Sequence, residues 1–476
     1  MSLKSDSCGL TQTVFAKTQA PLDYHSDDAT ITGDDVEPNL IKVYVREVVS
    51  AARGKLSAEE RASLPCALFL QGGPGFECGR PDADGGWLGE MAKDHRVFLL
   101  DQRGTGRSSA EIVRFNEDGS CKVAFKEGAS ADDVRMGRML AQCFRADSIV
   151  EDAELFRKTL GLGDEQKFTL LGQSFGGFCI TTYLSTHPEG VKEALYTGGL
   201  PPYVEKEAAA FDAYVKLFER VRAQNEKFYA RFPGDVERVR YLCEYARKNE
   251  ASLPGGGRLS AEIVQALGFS NLGTASGMER LHYILENVDV EPTFAVPLAH
   301  KLLIEIENAF RHFETNPLYG ILHESIYCNG GNAYGGAEKA KAKLSGTSFD
   351  VDAALKTPGQ KIYFTGEMVF DFFFDDIPAL APYKGVLDCL KSGETGQFRR
   401  LYDTHALSTN VNIPVACASY VEDMFVDFDL AAETASRIAG ARVWSTSEYM
   451  HSGIREDGAR IVSKLLSYVR DEDPIR

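Results

Sequence analysis

The stretch Gly172-Gln173-Ser174-Phe175-Gly176 constrains the fold of this chain more than any other. It follows the apolar run Phe168-Thr169-Leu170-Leu171 and leads into Phe178-Cys179-Ile180-Thr181-Thr182-Tyr183-Leu184. That order reads as a buried strand, a sharp turn and a helix, with a serine on the turn. Glycines on both sides of Ser174 leave room for the backbone that such a turn brings close. The strained turn exposes the serine oxygen, and the helix starting after it offers unpaired N–H groups to an anion. The pattern predicts a nucleophilic serine rather than an ordinary turn.

Other short apolar runs share this design. Ala67-Leu68-Phe69-Leu70 ends in Gln71-Gly72-Gly73-Pro74-Gly75, and Arg96-Val97-Phe98-Leu99-Leu100 ends in Asp101-Gln102-Arg103-Gly104-Thr105-Gly106. A helix is expected after them, capped by Asp147 and Gly161, with Ile149, Ala153, Phe156 and Leu160 on one face. Ala194-Leu195-Tyr196-Thr197 follows the serine turn as a further strand. Strands alternating with helices predict an α/β fold, a mostly parallel sheet covered by helices on both faces. In such sheets the site lies at the carboxyl ends of the strands.

The flanking regions divide the chain. Residues 1–40 are polar, with a hairpin-like turn at Thr32-Gly33-Asp34-Asp35, and read as an N-terminal extension whose role the pattern leaves open. Residues 41–200 read as the first part of the core, opening with a half-exposed strand over Ile41–Val48. From 201 to 358 the pattern is helical and reads as an inserted cap, with helices around Ala208–Phe232, Met278–Asn287 and Leu302–Phe313. Residues 359–476 read as the second part of the core. There, strands are expected at Ile362–Thr365, Pro414–Ala418 and Ala441–Trp444, before a last helix over Gly458–Arg470.

Composition narrows the function class. The net charge of −17 over 476 residues argues against nucleic acid or an anionic membrane surface as the main partner. No run reaches the length of a membrane span, and the N-terminus lacks the basic start and apolar core of a signal peptide. The ten cysteines are scattered, without a C-x-x-C pair or a cluster with histidines. A reduced, cytoplasmic setting is expected, with no zinc site. No metal or organic cofactor is called for.

A serine hydroxyl needs a histidine base and a carboxylate to orient that base. In α/β-hydrolases the chain order is serine, acid, histidine. Asp423 stands just past the strand that begins at Pro414, and His451 follows the last strand, so Ser174, Asp423 and His451 are the expected catalytic residues. Asp427 and Asp429 compete for the acid role, and Glu422 is adjacent. His187, His282, His300, His323 and His405 fall in the cap or in helical and connecting segments. The oxyanion hole needs two rigid N–H donors, and the amides of Phe175 and Gly73 are expected to supply them. Asp101 and Arg103 read as structural braces for the loops around the serine.

Four motifs together resemble the prolyl aminopeptidase (proline iminopeptidase) family. They are Gln71-Gly72-Gly73-Pro74-Gly75, Asp101-Gln102-Arg103-Gly104-Thr105-Gly106-Arg107-Ser108, Gly172-Gln173-Ser174-Phe175-Gly176-Gly177 and His451-Ser452-Gly453-Ile454-Arg455. The resemblance runs from about Ile41 to the C-terminus. It includes Asn316-Pro317-Leu318-Tyr319, Leu322-His323-Glu324 and Phe364-Thr365-Gly366-Glu367-Met368, and it points to the longer branch with an enlarged cap. Gln71 stands where many relatives carry histidine, a change also seen in the longer branch.

The resemblance implies release of an N-terminal proline through an acyl-enzyme on Ser174, with peptides bearing a free N-terminal proline as partners. It also implies that cap carboxylates bind the free amine, since a buried ammonium needs a charged partner. Glu324 matches that position best, with Glu279 second. Phe175, Tyr319 and Tyr327 are candidates for an apolar pocket around the proline ring. Two other readings stay open: an esterase or amidase with another acyl specificity, and a non-catalytic member that binds peptides through its cap. An aspartate at the serine position would indicate an epoxide hydrolase or dehalogenase, and none is there.

Overall fold

The computed structural model describes residues 4–7, 10–21, 23–24, 40–108, 114–115, 121–122, 133–160, 166–291 and 293–472. The apolar runs around the serine turn form the centre of a nine-stranded sheet. Its strands are β1 (Lys4–Ser7), β2 (Leu10–Pro21), β3 (Leu40–Ser50), β4 (Cys66–Leu70), β5 (Arg96–Asp101), β6 (Phe168–Gln173), β7 (Val191–Thr197), β8 (Val415–Tyr420) and β9 (Ala441–Thr446). The spatial order is β1-β2-β3-β5-β4-β6-β7-β8-β9. From β5 to β9 all pairings are parallel, and the first three strands add on antiparallel.

Side chains alternate between the two faces of each strand, so a sheet buried on both sides needs apolar residues at nearly every position. Leu68, Leu70, Phe98 and Leu100 pack into one core, and Ala67, Phe69, Val97 and Leu99 into the other. This double covering also buries most of β3, which the sequence pattern suggests is half-exposed. Parallel register places Leu70 opposite Gly172 and Gln173 opposite Thr197. The loops after β4, β6 and β7 therefore leave the sheet at one edge, next to one another.

Part of the N-terminal extension has a place in the sheet. Lys4–Ser7 and Leu10–Pro21 extend the main sheet, because β3 offers β2 a full antiparallel edge from Ser50 back to Leu40. The expected turn at 32–35 and the Gly161 cap lie outside the described residues. The helix expected after Asp147 spans Ala146–Thr159, with Asp147 in its first turn.

Between Thr197 and Val415 no further strand of the sheet occurs among the described residues. The segment is helical, with Ala210–Arg231, Asp235–Lys248, Gly277–Leu285 and His300–Asn308 among its longer helices. The strand expected at Ile362–Thr365 does not form, because other partners take its backbone groups. Asn225 accepts from the Phe364 amide (2.8 Å) and donates to its carbonyl (2.9 Å). Gln265 donates its side-chain amide to the Tyr363 carbonyl (2.8 Å) and its own carbonyl accepts from the Thr365 amide (2.9 Å). The apolar run is buried between helices instead of strands, and the helical insertion continues past 358, through Lys384–Ser392 and Thr404–Thr409.

The loop after β5 ties these parts together. Arg103, fully buried, donates Nε and Nη2 to the two Asp152 carboxylate oxygens (2.8 and 2.7 Å). It also reaches the carbonyls of Cys143 (2.6 Å) and Pro21 (3.1 Å), joining the helix before 146 and the end of β2. Removing Arg103 would strand the Asp152 charge in the core. Arg103→Ala is expected to lower unfolding free energy by about 3–5 kcal/mol in urea titration, and an unchanged midpoint would refute this brace.

Candidate active site

Ser174 stands between β6 and the helix Phe175–Thr186 with φ 53° and ψ −125°, a backbone conformation that L-residues rarely adopt. Its neighbours hold it there. A Cβ on Gly176 would lie 1.9 Å from the Leu70 carbonyl oxygen, and one on Gly172 2.6 Å from the Gly176 backbone. Only glycine permits this approach, so the strand, the turn and β4 interlock around the serine. The Ser174 amide donates to the Thr197 carbonyl (3.1 Å), and its carbonyl accepts from Gly177 (2.7 Å).

The three residues expected from chain order meet. His451 Nε2 is 2.9 Å from Ser174 Oγ, and His451 Nδ1 is 2.8 Å from Asp423 Oδ2. The other Asp423 oxygen accepts from the Phe425 and Val426 amides (2.7 and 3.0 Å), which fixes the carboxylate. The Phe425 ring stacks on the imidazole at 4.6 Å. Burial opposes a charge on His451, but the Asp423 carboxylate and its hydrogen bond outweigh it and raise the imidazole above the ordinary histidine range. The competing acids are engaged elsewhere. Asp427 caps the helix Phe428–Arg437 and, like Asp429, pairs with Arg220, while Glu422 meets Lys227 and Gln224.

The glycine loop after β4 approaches the serine from the other side. A Cβ on Gly72 would fall 2.9 Å from Ser174 Cβ, and Gly73 has φ 66°. The Phe175 amide is at the first position of its helix, where N–H groups have no intrahelical acceptor. Gln102 Nε2 donates to the Gln71 carbonyl (2.9 Å) and steadies this loop. Asp101 accepts from Arg80 (2.9 and 2.7 Å), from the Arg107 amide (3.0 Å) and from the Cys78 amide (3.2 Å), a bracing role.

Ser174 and His451 open into a cavity of about 850 Å³ between the sheet edge and the inserted helices. Phe76, Phe269, Tyr319 and Phe425 supply aromatic wall. Phe175 and Tyr327 do not line it and pack in the core. Neither predicted cap glutamate reaches the cavity. Glu324 turns back to cap the helix Gly336–Ala342, accepting from the amides of Gly335 (2.5 Å) and Ala337 (2.8 Å). Glu279 pairs with Arg231 at 2.5 Å on a more exposed face.

The carboxylate of the inserted segment that faces the cavity is Glu367, which the sequence reading passed over although its motif was in view; Glu77 and Asp82 line the cavity from the core. Its Oε1 accepts from the Tyr319 hydroxyl, and its Oε2 is 3.9 Å from His323 Nε2. His323 is held in turn by the Tyr214 hydroxyl (3.1 Å). Burial would raise the Glu367 pKa, yet His323, His451 and the Tyr319 hydroxyl together keep it below the usual carboxylate range. An ionised carboxylate thus sits in the same cavity as the serine. No helix among the described residues is long and apolar enough to cross a membrane.

The Glu324 position has a measurable consequence. Burial pushes its carboxyl up to about 7, against an unfolded value near 4.5. A raised carboxyl pKa contributes stability that is complete below the unfolded value and lost as pH rises through the folded one. Wild-type protein should therefore lose stability from this group between about pH 4.5 and 7, and Glu324→Gln should remove that part of the slope in urea titrations. Identical slopes would contradict the buried, proton-binding state.

A family model for the alpha/beta hydrolase fold matches residues 68–252. Proline iminopeptidase from Aeromonas sobria is 37% identical over 411 residues, covering 86% of this chain and 88% of that protein. Proline iminopeptidase aneH from Aspergillus aculeatus is 31% identical over 413 residues, covering 86% of each chain. These likenesses extend across the strands, the inserted helices and the serine turn, and the chain belongs to the proline iminopeptidase family of α/β-hydrolases.

Proposed function

We propose that the protein is a serine aminopeptidase that releases N-terminal proline from peptides. The observation that carries this reading is Glu367, an ionised carboxylate in the aromatic-walled cavity of the Ser174–His451–Asp423 relay. A protonated N-terminal proline has a secondary ammonium with two N–H donors on an apolar ring. Glu367 offers acceptors for the ammonium, and Phe269, Tyr319 and Phe425 offer apolar surface to the ring. In this proposal Glu367 takes the amine-binding role expected of Glu324 and Glu279.

The chemistry follows from the contacts. Ser174 Oγ attacks the proline carbonyl while His451 Nε2 accepts its proton. Asp423 holds the Nδ1–H of the resulting imidazolium. The developing oxyanion takes hydrogen bonds from the Phe175 amide and from the loop at Gly73. Collapse breaks the peptide bond as His451 returns the proton to the leaving nitrogen. Water, deprotonated by His451, then hydrolyses the acyl-enzyme and frees proline. The inserted helices act as the cap that brings Glu367 over the serine.

Hydrolysis of proline anilide tests the proposal, beside its N-acetylated form, alanine anilide and a short nitrophenyl ester. Turnover is expected on free proline anilide, is expected to vanish in Ser174→Ala, and should be lost on acetylation. Glu367→Gln is expected to cost about 100-fold in kcat/KM on proline anilide and far less on the ester. Equal losses would remove the amine-binding role, and ester turnover without proline release would sink the substrate. Because His451 must be neutral to accept a proton, the acid limb of kcat/KM should lie above the ordinary histidine value of about 6.5. Asp423→Asn should move it downward and lower kcat by orders of magnitude.

A further inference from the structure

Arg455 is the one part of the motif after His451 to which neither fold nor relay gives a task. It lies on the short helix Gly453–Glu456, lines the Ser174 cavity and is exposed to it. Its Nη2 donates to Gln173 Oε1 at 3.2 Å, beside the nucleophile. No carboxylate among the described residues reaches it with a direct hydrogen bond, although Glu367 and Glu456 favour its charge through space. Other charges on the wall have direct partners of their own, apart from the solvent-exposed Asp82. Arg80, also on the cavity wall, is neutralised by both oxygens of Asp101. Glu456 turns to the Ser452 hydroxyl, and Glu77 accepts from Asn316 (2.9 Å). In a chain of net charge −17, a guanidinium beside Ser174 with no direct carboxylate contact offers its donors to an anion.

Glu367 gives the cavity its opposite pole. It enters from the inserted helices, whereas Arg455 rises from the core next to Gln173, and the two form no ion pair with each other. They favour each other through space without a direct bond, so each keeps hydrogen-bonding groups that a ligand can take. A substrate that carries a free amine on one side of its scissile bond and a carboxylate on the other would satisfy both, and that is a dipeptide with proline first. Guanidinium is suited to this task because its N–H fork matches two carboxylate oxygens.

We infer that Arg455 binds the C-terminal carboxylate of the leaving residue, so that the enzyme prefers proline dipeptides over longer or C-terminally blocked substrates. The inference rests on the proposed proline release and adds the identity of the leaving group. Longer peptides place an uncharged amide where a dipeptide places its carboxylate. They gain a hydrogen bond from Arg455 but lose the charge pairing.

The test compares kcat/KM for prolyl-alanine and prolyl-alanine amide in wild type, Arg455→Met and Arg455→Lys. Wild type is expected to favour the free acid by about tenfold or more, Arg455→Met to bring the ratio close to one, and Arg455→Lys to restore part of it. A residue that merely braces Gln173 would lower both substrates together and leave the ratio unchanged. A wild-type ratio near one, or a ratio that Arg455→Met does not move, overturns the inference while leaving proline release standing. If neither substrate yields proline in wild type, the aminopeptidase reading falls, and this inference with it.

Discussion

The left-handed backbone of Ser174 is the constraint on which the rest of the site depends. A serine at φ 53° is costly by itself, and it persists because β4, β6 and the following helix meet without a Cβ between them. The same contact that imposes the strain sets the chemistry. It lifts the hydroxyl out of the sheet edge, starts a helix at the next residue, and brings the Gly72–Gly73 loop alongside. Ser174, the start of the helix after it and the Gly72–Gly73 loop are therefore one packing unit, and a shift in β4, β6 or the helix moves all of them.

Around that unit the protein arranges charge by distance from the core. Deep pairs such as Arg103 with Asp152 hold the architecture, and there both carboxylate oxygens are matched. The relay is one step closer to the cavity, with Asp423 fixed by two amides so that its remaining oxygen serves only His451. Glu367 lies at the cavity wall, kept ionised by His323, His451 and the Tyr319 hydroxyl, with Tyr214 steadying His323 from behind. A carboxylate in such a place would ordinarily take up a proton. The surrounding donors prevent this, and that side of the cavity wall remains negative.

The central sheet and the relay were legible in the sequence because each depends on local pattern and chain order. Short apolar runs that alternate with helices and end in glycine loops favour a parallel sheet, and the order of Ser174, Asp423 and His451 follows the order of the strands. The cap was less legible. Glu324 and Glu367 both sit in motifs shared with relatives, but sequence does not reveal whether a carboxylate faces a cavity or turns back to a helix end. Glu324 found two amides of its own chain, and Glu367 did not. Ile362–Thr365 has a strand's composition, yet burial among helices satisfies the same apolar side chains, with Asn225 and Gln265 serving its backbone. The role of residues 4–21 escaped notice because polar antiparallel strands at a sheet's end carry little hydrophobic signal.

Those first strands have a consequence for handling the protein. β2 covers the whole antiparallel edge of β3, and its last carbonyl is bound by Arg103. A chain shortened to begin at residue 40 would present eleven residues of open β3 edge, mostly buried in the intact fold. Such an edge pairs readily with a second copy of itself. The N-terminal strands thus act as a built-in stopper against self-association, and solubility, more than catalysis, is the property that trimming them would put at risk.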